Sequence, residues 1–121
     1  MATSKYIDIC MQPIPKKNLA EYKKLTKYIG KLLIKHGALS SSDYVSDDEN
    51  AQKYSFPKAV KIGKGEVIIM AFAEFKSKSH RDKVFKLMEK DPAMDKIDMT
   101  PKFIDPKRAV IGGFSVVAAV K

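Results

Sequence analysis

One cysteine, two histidines, two arginines and no tryptophan occur among 121 residues. A lone Cys10 excludes an internal disulfide and a cysteine-based zinc site. It suits a reducing compartment. No apolar run approaches the roughly 20 residues of a membrane span. The opening Met-Ala-Thr-Ser-Lys-Tyr-Ile-Asp lacks the apolar core of a signal peptide. A soluble cytoplasmic protein is therefore expected. Established chemical motifs are missing too: there is no His-x-x-x-His, Gly-x-Ser-x-Gly, Gly-x-Gly-x-x-Gly or Walker loop. Asp47-Asp48-Glu49-Asn50 is acidic but lacks the calcium-loop pattern with its central glycine, so a solvated turn and no metal are expected there. Ser79-His80-Arg81-Asp82 has the composition of a catalytic set. Consecutive helix residues point in different directions, however, so it is no triad as it stands. No cofactor is expected.

Positive charge is abundant. Lys and Arg number 23 against 14 Asp and Glu, a formal charge of +9. Such a chain can attract nucleic acid or an anionic surface. Only Arg81 and Arg108 are arginines, though, and bidentate recognition of phosphates and bases favours arginine. A solvated lysine surface is the simpler reading. The length fits one domain, 1–121, able to bury roughly two-thirds of its unfolded surface.

The most informative stretch is Glu66–Phe75. It is rich in β-branched and aromatic residues and is preceded by Gly63 and Gly65. As a strand it turns Val67, Ile69, Ala71, Ala73 and Phe75 to one face and Ile68, Met70, Phe72 and Glu74 to the other. Both faces are apolar until Glu74, so both need covering.

The remaining elements arrange themselves around it. Tyr6–Pro13 reads as the first strand, with Ile7, Ile9 and Met11 on one face and Tyr6, Asp8, Cys10 and Gln12 on the other. If that mixed face is buried, Asp8 needs partners. A helix is predicted over Asn18–His36, with Asn18 and Glu21 at capping-box spacing and Gly37 as its stop. Its apolar stripe runs through Leu19, Tyr22, Leu25, Ile29, Leu32 and Leu33. Leu39–Val45 is a second strand, which Ala59–Ile62 extends after a loop through Ser55-Phe56-Pro57. A second helix begins near Ser79 and ends at Asp91-Pro92. Pro92–Met99 holds a further helical turn. Ala109–Val120 is the last strand, where Gly112-Gly113 signals a bulge or a close backbone approach.

The order β-α-β-β-α-β predicts an α+β, ferredoxin-like domain: a four-stranded antiparallel sheet with two helices on one face. The other face would then be bare and apolar, and a second copy is its simplest cover. Ile68, Met70, Phe72, Phe114 and Val116 are the interface candidates.

Several stretches resemble the YbaA-like family of uncharacterised bacterial proteins. They are Pro13-Ile-Pro15, Tyr22, His36-Gly37-Ala38-Leu39, Asp47-Asp48, Ser55-Phe56-Pro57-Lys58-Ala59-Val60, His80-Arg81-Asp82, Asp91-Pro92, Phe103-Ile-Asp105-Pro-Lys107-Arg108 and Gly112-Gly113-Phe114. Phe72 stands where the family pattern has tryptophan, and Ser40–Ser42 replaces a more hydrophobic segment, leaving Asp43 at an acidic position. The resemblance implies a dimeric α/β barrel: a homodimer whose sheets face each other around a cavity. Superfamily relatives use such cavities for small organic molecules, and some are cofactor-free oxygenases or isomerases. The family itself carries no established activity.

A small-molecule pocket is the leading functional expectation, with Asp8, His36, Asp43, Asp105 and Arg108 as its polar candidates. A carboxylate beside an arginine would orient an anionic or phenolic ligand. Two alternatives stay open. One is an RNA-recognition-type module, since Ala71-Phe72-Ala73-Glu74-Phe75 matches the tail of that module's third strand and Tyr6 could supply a stacking aromatic. Against it, Ile68 and Met70 occupy positions where a basic residue and a second aromatic belong, so nucleic acid is a disfavoured partner. The other is a non-enzymatic dimeric scaffold or stress accessory protein.

Overall fold

Strand β3 (Glu66–Phe75) lies inside the sheet, paired on both edges. The computed structural model describes residues 5–47 and 60–120. The Asp48–Asn50 part of the acidic turn, Ser55-Phe56-Pro57 and Ala59 lie outside the described residues. Strand β1 (Tyr6–Pro15) runs antiparallel to β3 along its whole length, from Tyr6 opposite Phe75 to Pro15 opposite Glu66. Strand β2 (Ser40–Val45) pairs with the other edge of β3, and β4 (Val110–Ser115) with the free edge of β1. The result is a four-stranded antiparallel sheet in the order β2-β3-β1-β4.

Helices α1 (Leu19–Lys35) and α2 (Lys78–Glu89) pack on the same sheet face. Two buried clusters anchor them. The first joins Leu32 and Leu33 of α1 and Val84 and Met88 of α2 to Tyr6, Ala73 and Phe75. In the second, Tyr22 lies on Ile14, Val67 and Ile69. The β3 residues among them belong to the alternating set Val67, Ile69, Ala71, Ala73, Phe75, as period-two geometry requires.

Local chemistry explains most of the boundaries. Gly37 adopts φ 113°, which only glycine takes without strain. Its N–H donates to the Ile34 carbonyl, and the Ala38 N–H to that of Leu33, closing α1 in a Schellman motif. The other end of α1 departs from expectation. Asn18 makes no side-chain cap; its amide instead donates to the Glu21 carboxylate at 2.9 Å, after a 3₁₀ turn over Lys16–Asn18. For α2 the cap is Ser77 rather than Ser79: the Ser77 hydroxyl accepts the His80 N–H at 3.1 Å. Val60 and Lys61 form a turn, not an extension of β2. Strand β4 stops at Ser115, five residues short of the expected Val120, because its partner begins at Tyr6. Beyond the Tyr6–Ser115 pair, the described residues add one further bond, from the Val116 N–H to the Lys5 carbonyl.

Among the described residues the second sheet face carries no helix. Ile7, Ile9 and Met11 of β1 lie there beside Met70 and Phe72 of β3 and Val110 and Phe114 of β4. Phe114 is 54% exposed. Ile68 shares this face but is already buried within the chain, and Val116 lies just past the end of β4.

Candidate functional site

Between the two core clusters the helix-facing side of the sheet is built from small residues. One cross-strand row reads Ser41, Ala73, Asp8, Gly113; the next reads Asp43, Ala71, Cys10, Ile111. Bulky side chains flank them: Tyr6 and Phe75 on one side, Ile69 and Gln12 on the other. The helices rest on the bulk and span the small rows. A cavity of about 360 Å³ remains beneath them, at the small end of ligand pockets, which run from roughly 300 to 1,000 Å³. Its roof is mostly apolar, with Ile29 and Leu33 from α1, Phe85 and Met88 from α2, and Met94 from the segment that follows.

Polar groups are few and held in place. The Tyr22 hydroxyl donates to Asp43 Oδ2 at 2.6 Å, and the Thr26 hydroxyl to Asp43 Oδ1 at 2.7 Å. Tyr22 and Thr26 are four residues apart on α1, so they meet Asp43 from one helix face. Burial first, and this bond to Asp43 second, push the Tyr22 phenol well above its ordinary range. Asp8 has a different partner: Arg81 Nη1 donates to its Oδ1 at 2.8 Å. The guanidinium stands 5.1 Å from the Tyr6 ring centroid and 5.8 Å from that of Phe85. Cys10 lies between the two aspartates in the sheet. Burial raises its thiol pKa, and the Asp8 and Asp43 charges add to the effect.

That perturbation is measurable. Only the thiolate is nucleophilic. Alkylation of Cys10 by iodoacetamide should be slower at pH 7.5 than that of a free thiol, and should still be rising beyond the ordinary thiol pKa of about 8.5. Replacing Asp43 by asparagine should accelerate it. A rate profile centred on the free-thiol value would show that neither burial nor the aspartates act on it.

The five sequence candidates separate into three places. Asp8 and Asp43 line the cavity. His36 lies at the end of α1, its Nε2 2.8 Å from Asp91 Oδ2. Asp91 also accepts from Lys35 Nζ at 2.9 Å and from the Ala93 N–H at 2.9 Å, so it joins α1 to the 3₁₀ turn Pro92–Lys96. Asp105 and Arg108 form a third cluster. Arg108 binds both oxygens of Glu66 at 2.7 Å and Asp105 Oδ2 at 3.0 Å, fastening the turn before β4 to the start of β3. The arginine beside a cavity carboxylate is thus Arg81, with Arg108 occupied elsewhere. Cys10, Tyr22, Thr26 and Arg81 complete the site without having been singled out for it. Among the described residues no group of three His, Cys, Asp or Glu side chains converges as a metal site would require.

The Asp91 cluster makes its own prediction. The Ala93 N–H, then Lys35 and His36, hold the Asp91 carboxyl well below the usual range. A carboxylate lowered by folding stabilises the native state above its unfolded pKa, near 3.9, and that contribution disappears as pH falls through the folded value. Urea midpoints should therefore fall more steeply in acid for the native sequence than for Asp91→Asn, with the two curves converging at the lowest pH. Parallel curves would show that Asp91 does not carry the acid limb.

Among the described residues no helix is long and apolar enough to cross a membrane. Two curated relatives are both described as "Uncharacterized protein YbaA", one from Escherichia coli (strain K12) and one from Shigella flexneri. Each is 28% identical over 114 residues, an alignment covering 93% of this chain and 97% of the relative. A family model described as "Protein of unknown function (DUF1428)" matches residues 5–105, and the chain belongs to that family.

Proposed function

We propose that this chain is a soluble cytoplasmic protein of ferredoxin-like topology that pairs with a second copy through the bare sheet face and binds a small organic molecule beneath its helices. The cavity carries this reading: an apolar space of about 360 Å³ with hydrogen-bonded carboxylates on its floor. An apolar space of this size offers a small organic molecule the close contacts from which dispersion attraction accumulates. Both floor aspartates are positioned by side chains from the helices, which gives a bound molecule fixed polar contacts.

The strand order supports the ferredoxin-like part. Exposed apolar side chains support the pairing, since Val110 and Phe114 continue into Val116, Val117 and Val120, all open to solvent. Tyr6, which an RNA-binding reading needs as a stacking platform, is buried against Phe75 and Arg81 instead.

A fragment library screened against the labelled protein by two-dimensional NMR tests the pocket. Binders should shift the amides of Cys10, Asp43, Ala71 and Ala73 and slow Cys10 alkylation. Binders that shift only surface amides, with Cys10 unprotected, would sink the reading.

A further inference from the structure

Among the described residues, those that line the cavity include three carboxylates, Asp8, Asp43 and Glu89, and no lysine, arginine or histidine. This happens in a chain with nine more positive than negative charges. From that contrast we propose that the ligand is a protonated primary or secondary amine on an apolar body, with Asp43 as its counter-ion; the proposal rests on the cavity being a binding site.

The two floor aspartates differ in a way that selects Asp43. Asp8 already has a cation, Arg81, at 2.8 Å. Asp43 receives only neutral donors, the hydroxyls of Tyr22 and Thr26, one on each oxygen. Among the described residues no cation lies within ion-pair distance of it. Each carboxylate oxygen accepts about two hydrogen bonds, so one acceptor position per oxygen remains. Asp43 is half-buried, and a partly desolvated carboxylate beside apolar side chains gains from a paired charge. An ammonium group supplies both the missing charge and the missing donors. A quaternary ammonium would supply the charge alone, and the aromatic cage that suits such groups is not built by the described lining: Phe85 already faces Arg81, and the Phe72 side chain belongs to the opposite sheet face.

The rest of the lining agrees. Met88, Met94 and Met99 offer flexible, polarisable side chains that adapt to an apolar body of varied shape. Glu89, exposed on the last turn of α2, adds negative potential at the rim. An anionic ligand would meet three carboxylates and find Arg81 occupied. This reverses the anionic or phenolic preference that a free arginine beside Asp8 would have set.

The test uses three near-isosteres: 3-phenylpropylamine, 3-phenylpropanol and 3-phenylpropanoate. Each is titrated at pH 7 in moderate salt, with binding located by amide shifts at Cys10, Ala71 and Ala73. The amine should bind at least ~10-fold tighter than the alcohol, as expected for a charge-assisted hydrogen bond, and the carboxylate weakest of all. Asp43→Asn should erase the preference, bringing the amine's affinity down to within about twofold of the alcohol's in the same variant. Glu89→Gln, on an exposed position, should lower amine affinity by a smaller factor. Equal or tighter cavity binding of the carboxylate would overturn the amine assignment and leave the pocket standing. Amine preference that survives Asp43→Asn would overturn the role of Asp43. Failure of all three to shift any cavity amide would overturn the pocket and the amine together.

Discussion

Gly113→Ala is expected to be the most destabilising single-methyl change in this sheet. A Cβ at this position would collide with the Tyr6 hydroxyl and stand 2.8 Å from Arg81 Nη1. Both groups are fixed: Tyr6 is in the core, and Arg81 is held by Asp8 and Asp82. Relief requires displacing the Tyr6 ring, the Arg81–Asp8 pair, or β4 itself. Overpacking alone costs about 1–3 kcal/mol, and loosening a largely buried ion pair adds to it. A loss of about 3 kcal/mol, or roughly 10 °C in Tm, is therefore expected. Gly112→Ala is the control. Its Cβ would meet only the Phe114 ring, at 3.3 Å, and that ring is exposed and can swing away. Tyr6→Phe removes the colliding oxygen, so Gly113→Ala should cost clearly less in that background, a coupling read directly from a double-mutant cycle. Equal costs at Gly112 and Gly113 would show that the close approach does not constrain the sheet.

This glycine illustrates what the sequence makes legible. A Gly-Gly pair inside an apolar strand signals either a bulge or a close approach, and local pattern cannot choose between them. The choice depends on Tyr6 and Arg81, which precede Gly113 by more than 100 and more than 30 residues. Element order was readable because it follows from period and punctuation: β3 from its β-branched run, α1 from its stripe and Gly37. Ends set by pairing were not. The length of β4 depends on where β1 begins, which no property of Ala109–Val120 records.

The site divides along the same line. Asp8 could be proposed from strand position, because a carboxylate on a buried strand face needs a partner, and Asp43 from the acidic position that the family resemblance implies. Their partners could not. Arg81 sits in a segment whose most visible pattern, Ser-His-Arg-Asp, is a helix start. Its guanidinium reaches Asp8 only because α2 crosses β1 at that point. One signal for the cavity was present and passed over: Ala71 and Ala73 lie between Ile69 and Phe75 on the helix-facing side of β3. Small residues flanked by large ones leave space when a helix rests on the large ones. His36 and Asp105 looked alike from sequence as polar residues near element ends, and that position is what decides their use. Both serve as local ties, through Asp91 and Arg108.

Phe72→Asp should convert the proposed dimer to a monomer, the largest expected effect on assembly. Phe72 lies on the bare face of β3, directly opposite Ile9 of β1, at the middle of the two central strands. Around it lie Ile7, Met11 and Met70, none covered by a helix among the described residues. In a twofold pairing of two such faces, one substitution changes both sides of the interface. Two apolar rings are lost, each worth about 1.5–3 kcal/mol when buried, and two carboxylates are brought into a dry contact. The dissociation constant should rise by a factor of about 1,000 or more. Light scattering over a dilution series reads the result. The unmodified protein should hold a mass near twice the 13.6 kDa chain, and Phe72→Asp should hold a mass near one chain with its circular dichroism retained. Leu87→Asp, on the outer surface of α2, should leave the mass doubled. A Phe72→Asp protein that remains dimeric would move the interface away from the sheet face. An unmodified protein that is monomeric at every concentration would remove the interface altogether.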